Sequence, residues 1–202
     1  MSRGNNKSAL HNWFSSDYHF NHLYPEAIRE FADRNWTPLN VVKMAAKYLA
    51  CSKKSKILDI GSGAGKFCIA AAWFQPQSLF FGVEQKLDMV KHAQKASNFL
   101  GIRNATFIHG DVTTTDFGIY DGFYFYNSFY EYAQADDRLN ASQQAGAGAM
   151  YDYYHQYLMS QADKMPAGTK IASYYSLDRM PAGFVLEDSL FKGLLKFWLK
   201  DV

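Results

Sequence analysis

Apolar residues along this 202-residue chain fall into short runs that switch between the spacing of a buried strand and that of a helix face. Lys56 to Ile60 reads as a buried strand, and Leu79 to Val83 as a second strand. Thr106 to His109, Gly122 to Tyr126 and Lys170 to Tyr174 read as strands too, the last after the turn signal Pro166-Ala167-Gly168. Between them lie helical patterns. Thr37-Pro38 predicts a helix start, with the threonine as cap and Leu39, Val42, Ala46 and Leu49 on one face. Lys66 to Phe74 and Leu87 to Leu100 predict two more, the second stopped by Gly101. Met150 to Asp163 predicts another, with Tyr151, Tyr154 and Leu158 on one face, and Ala141 to Ala149 reads as a flexible connection before it. Strand and helix alternate, which implies an α/β fold: a mostly parallel sheet covered by helices on both faces, with ligands at the carboxyl ends of its strands. From Phe184 to Val202 the pattern fits a helical face through Leu190, Leu194 and Trp198, and strands through Leu195, Phe197 and Leu199.

Composition narrows the class. A hydrophobic fraction of 48% supports one sizeable core, and a net charge of +2 gives no sign of a nucleic-acid field. Met1 to Leu10 lacks the apolar stretch of a secretory leader, and Phe67 to Phe74 is too short to span a bilayer. Cys51 and Cys68 have neither metal-ligand nor disulfide-framework spacing, so a cytoplasmic location, without a membrane partner or a metal, is expected. Aromatic residues crowd into Trp13 to Tyr24, Phe117 to Tyr132 and Tyr151 to Tyr157. Residues 1–36 are expected to form a helical or lid segment, and 37–202 the main domain.

The candidate chemistry sits at three successive strand ends. Asp59-Ile60-Gly61-Ser62-Gly63-Ala64-Gly65 follows the first strand and opens a helix, where glycines let the backbone approach a ligand and helix amides face it. Glu84, followed by Gln85, closes the second strand, where a carboxylate accepts hydrogen bonds from ribose hydroxyls. Asp111 and Val112 follow the third. A phosphate-binding P-loop would need glycine at 60 and Ser or Thr at 67, where the chain has Ile60 and Phe67. The dinucleotide fingerprint would need glycine at Lys66. The residues themselves point to a nucleoside-like ligand.

The run Ile57 to Phe67, Phe81-Gly82-Val83-Glu84 and His109-Gly110-Asp111 resembles the signature set of class I, Rossmann-like methyltransferases that use S-adenosylmethionine (SAM). That resemblance implies a seven-stranded sheet ending in a C-terminal β-hairpin. It implies that Asp59 and Gly61, with Ser62, Gly63 and Gly65, line the methionine end of SAM. It places Glu84 and Gln85 at the ribose, and Asp111 and Val112 at the adenine.

Transfer from a sulfonium needs an aligned nucleophile and local electrostatics. Tyr124-Phe125-Tyr126-Asn127-Ser128-Phe129-Tyr130 ends the fourth strand, where an asparagine oxygen can orient an amine beside aromatic faces. The stretch is similar to the Asn-Pro-Pro-aromatic motif of amino-group methyltransferases at Asn127 and Tyr130, without the prolines, and to the Asn-Asn-Phe segment of non-SET protein lysine methyltransferases. Asn127, Phe129 and Tyr130 are therefore the expected catalytic residues, with Asn127 also beside the cofactor. A protein lysine or small-molecule amine is the favoured acceptor. An oxygen or small-molecule acceptor, or an inactive SAM-binding module, is the alternative. His19 and His22 are candidate bases.

Overall fold

The computed structural model describes residues 10–30, 32–126, 128–129, 141–177 and 179–201. Its centre is a seven-stranded sheet in the order β3-β2-β1-β4-β5-β7-β6. The strands are β1 (Lys56–Ile60), β2 (Leu79–Glu84), β3 (Ala105–His109), β4 (Gly122–Tyr126), β5 (Lys170–Tyr174), β6 (Phe184–Leu190) and β7 (Leu195–Lys200). The first five run parallel, and β7 joins antiparallel between β5 and β6. The tail is thus the hairpin, turned by Phe191, Lys192 and Gly193, all with positive φ.

Alternate strand residues feed two cores. Ile57, Phe80, Tyr124 and Ala172 pack with α4 (Leu39–Leu49), α5 (Lys66–Phe74) and α6 (Leu87–Leu100). Leu58, Val83, Phe123, Phe125 and Ile171 face the other way, toward Tyr154, Leu158 and Ala162 of α7 (Ala141–Asp163). Both faces are covered, which explains why the inner parallel strands β1, β4 and β5 are buried on both sides, while β3 at the edge buries little. Of the N-terminal helices α1 (Asp17–Asn21), α2 (Glu26–Arg29) and α3 (Ala32–Asn35), the first two bury Phe20 and Ile28 in the first core. Phe14 stacks on Trp73 with centroids 4.5 Å apart, and Phe20, Tyr24 and Ile28 are buried in the same core as α5.

Two local expectations are corrected. Ala141 to Ala149 is the opening of α7 and not a flexible connection. Its alanines and glutamines are good helix formers, and the helix is held by packing further along at Tyr154 and Leu158. Thr37 is not the cap of α4; the cap position is Pro38, which has no side chain to offer. Thr37 is buried with its hydroxyl 2.8 Å from Tyr124 Oη, and the Leu39 N–H is instead satisfied at 3.0 Å by Asp17 Oδ1 from α1. A distant carboxylate does the capping.

Candidate cofactor site

A cavity of about 410 Å³ opens over the carboxyl ends of β1, β2 and β4. It lies where the chain order reverses between β1 and β4, the place where open α/β sheets bind ligands. Asp59, Gly61, Ser62, Gly63, Glu84, Gln85, Val112 and Phe129, all anticipated, line it. Asn127 and Tyr130 fall outside the described residues. His19 and His22 stay apart: their Nδ1 atoms bond Ser16 Oγ and the Tyr18 carbonyl in and around α1, whose caps are Ser16 and His22.

The loop between β1 and α5 is shaped by backbone bonds. Gly61 and Ser62 N–H groups donate to the Val83 carbonyl at 3.0 Å each, pulling the turn down onto β2. Gly63 N–H donates to Glu84 Oε2 at 2.9 Å, while Lys86 N–H donates to Oε1 at 2.8 Å. One bond to each oxygen fixes the carboxylate and leaves it acceptor capacity for two hydroxyls. Gly65, at φ +81°, lies behind the loop: a Cβ there would come within 2.5 Å of Phe107 Cε1 and 2.7 Å of Ala93 Cβ. It sets the close approach of α5 to β3 and α6. The loop's other side is tied down by Ser128, whose hydroxyl donates to the Ile60 carbonyl.

Asp59 ends up almost fully buried on the cavity wall, and Cys68 Sγ of α5 lies 3.6 Å from its Oδ2. Burial pushes its carboxyl up to about 8; the Cys68 bond opposes this and the charge of Glu84 adds to it. The group carries a proton near neutrality.

At the third strand end, Gly110 and Val112 form the wall, while Asp111, expected at the adenine beside Val112, stands behind it and is not among the lining residues. The Asp111 carboxylate is held by a network: Thr113 N–H and Oγ1 donate to Oδ1, both at 2.8 Å, and Tyr154 Oη of α7 donates to Oδ2 at 2.7 Å. Gln85 Nε2 donates to Tyr154 Oη at 2.8 Å and to Asp111 Oδ2 at 3.2 Å, which joins the second and third strand ends. Desolvation pushes Asp111 up, but the hydrogen bonds from Thr113 and Tyr154 outweigh it and hold the carboxyl below its usual range. Phe129 stacks on Tyr154, with centroids 4.5 Å apart and planes at 8°, and takes a positive φ of 69°. Such a conformation in a bulky residue costs roughly 1–3 kcal/mol and clusters at ligand sites.

Sequence reasoning expected a helical or lid segment at residues 1–36 but named none of the residues by which it meets the cavity and the loop. Asn35, Trp36 and Thr37 line the cavity, Tyr24 Oη donates to the Ala64 carbonyl inside the loop at 2.9 Å, and Lys66 Nζ of α5 is paired with Asp17 and bonded to Asn21 Oδ1 at 2.9 Å. One signal was present: Lys66 is the single charge in an otherwise apolar helix.

Comparison with known proteins agrees with this geometry. Residues 51–125 match the family model described as "Methyltransferase domain". A protein-L-isoaspartate O-methyltransferase from Fervidobacterium nodosum is 33% identical over 73 residues, 36% of this chain and 37% of that protein. The matched region therefore spans little more than a third of that curated relative. Among solved structures, an RNA methyltransferase from Salinibacter ruber in complex with S-adenosylhomocysteine superposes with a TM-score of 0.57 at 21% identity, covering 82% of this chain and 93% of that one. TrmN from Thermus thermophilus gives 0.60 at 16% identity, covering 87% and 52%. At these identities the likeness concerns the fold. Residues 51–125 thus resemble a methyltransferase domain, and the chain is built on the class I, Rossmann-like methyltransferase fold.

Proposed function

We propose that the protein is a SAM-dependent methyltransferase that transfers methyl to an amino nitrogen, with a protein lysine as the favoured acceptor. The observation that carries the SAM reading is the Glu84 carboxylate, fixed from both sides by Gly63 and Lys86 N–H groups on the wall of a cavity at the β1/β4 switch point. There it meets ribose hydroxyls, while Gly110 and Val112 flank the base and Asp59 faces the ammonium of the aminoacyl arm. The bound sulfonium supplies an activated methyl. The chain's residues position it: the loop from Gly61 to Gly65 seats the ligand, the Phe67 and Tyr124 rings, stacked 3.7 Å apart, wall the cavity, and Asn35, Trp36 and Thr37 cover it. An amine entering beside Tyr126 and Phe129 loses its proton to solvent and then aligns its lone pair behind the methyl. The N–C bond forms as the C–S bond breaks, the positive charge passing from sulfur to nitrogen beside aromatic faces.

Residues 1–36 are read as the strap over that site and 37–202 as the methyltransferase domain. No helix among the described residues is long and apolar enough to cross a membrane. Two free cysteines, Cys51 exposed and Cys68 buried, support a reducing, cytoplasmic setting. Titration calorimetry with SAM tests the cofactor; absence of heat sinks this reading. Radiolabelled SAM added to a lysate, followed by separation of protein, nucleic acid and small molecules, tests the acceptor. Label in nucleic acid alone rejects the amine of a protein.

A further inference from the structure

Lys66 is a costly residue to keep where it is. Its side chain is only 5% exposed, and it occupies the first turn of α5, where the helix dipole disfavours a cation. The acid paired with it, Asp17, is 46% exposed and shares the same Oδ1 with the Leu39 N–H. Asn21 Oδ1 and the rings of Phe20 and Trp36, with centroids 5.6 and 5.7 Å from Nζ, are among its other neighbours. None of this is needed to make a helix or a core, and methionine would fill the same space without a charge. A residue that breaks local rules at the edge of a binding cavity marks a site.

Lys66 and Asp59 both stand on the cavity wall, on either side of the glycine loop. A buried cation and a buried carboxyl, which gives up its proton when a cation is placed against it, flank one loop and suit a ligand end that carries both charges, the form of an α-amino acid. We propose that Lys66 determines specificity for the aminoacyl arm of the ligand: its Nζ donates to the arm's carboxylate, which competes with Asp17 for the ammonium. This rests on the SAM reading above. Ligand binding therefore loosens the Lys66–Asp17 tie between α5 and α1 and leaves the Tyr24–Ala64 bond to carry most of the fastening of the N-terminal segment to the loop.

The probes are S-adenosylhomocysteine and its decarboxylated form, which differ by the carboxylate alone, each titrated calorimetrically into the full chain. Wild-type protein is expected to prefer the carboxylate-bearing ligand by about tenfold or more, the scale of one charge-assisted bond in a desolvated site. In Lys66→Met that preference collapses to near unity, while affinity for the decarboxylated ligand stays within about threefold. Asp17→Asn, which keeps Lys66 and removes its competitor, is expected to raise the preference. Equal loss of both ligands in Lys66→Met, an unchanged preference, or a parallel fall in Asp17→Asn overturns the proposal, because each describes a lysine that only anchors α1. Wild-type protein that binds both ligands equally overturns it and leaves the SAM reading standing. Wild-type protein that binds neither ligand removes both.

Discussion

At the scale of single residues, the loop glycines divide by what lies behind them. Gly65 at φ +81° has Phe107 and Ala93 within 3 Å of any added Cβ, whereas Gly63 at φ +53° has nothing within 4 Å. Gly65→Ala is expected to cost roughly 2–4 kcal/mol from overpacking and left-handed strain together, and Gly63→Ala about 1 kcal/mol from strain alone. Urea denaturation separates the two, and equal losses would show that the packing against β3 is not what Gly65 serves. Asp59 offers a second measurement. Its carboxyl holds a proton in the folded chain up to about pH 8 and loses it near pH 4 when unfolded, so between these values the unfolded state binds fewer protons. Stability of the ligand-free protein should therefore fall as pH rises from about 4 to about 8, and level off above. Asp59→Asn should flatten that slope; an identical slope in the variant would rule out Asp59 as its source. The three strand-end acids were legible because their spacing from buried runs is local. Lys66 with Asp17, and Tyr24 with Ala64, were not, because pairs 49 and 40 positions apart are brought together only by the packing of α1 and α2 on α5.

At the scale of elements, strands buried on both faces announce themselves, and β4, β5, α5 and α6 begin and end where the apolar runs and Gly101 place them. Elements whose limits are set by other parts of the molecule do not. Thr37 has the chemistry of a cap, but its hydroxyl is drawn to buried Tyr124, and Asp17 takes its place at Leu39. The hairpin of β6 and β7 followed from family likeness rather than from pattern, since Phe184–Leu190 is an edge strand with mostly exposed side chains and weak alternation. The stretch from Ala141 misled because Gly and Ala together resemble a linker composition. A direct test of its helical state uses Gly148, which has no neighbour within 4 Å of an added Cβ. Gly148→Ala should stabilise by about 0.5–1 kcal/mol, and Gly148→Pro should destabilise by about 3 kcal/mol with loss of helical circular dichroism. A proline tolerated without either change would show a connection and not a helix.

At the scale of the whole molecule, the two cores have different relations to the site. The core containing α7 reaches the site through Tyr154, which holds Asp111 and Gln85, whereas the core containing α5 reaches it through the loop itself and through the N-terminal strap. The strap is joined to the loop and α5 at the Tyr24–Ala64 bond and the Lys66 pairing, and to α4 at Asp17 and Leu39. The hairpin is distant in the sheet order, at the edge beyond β5. A ligand that binds only the folded state stabilises it by RT ln(1 + [L]/Kd), about 2.7 kcal/mol at a hundredfold excess over Kd. That free energy should slow amide exchange most where opening breaks the site. With S-adenosylhomocysteine, protection is expected to rise in residues 17–24 and 61–66 together, and to change less in β6. Tyr24→Phe, which leaves the Ala64 carbonyl without its donor, should uncouple the first two segments, so that the ligand protects 61–66 but no longer 17–24. Protection confined to the loop in the wild-type protein would mean that the N-terminal helices are passive packing, and that the site closes without them.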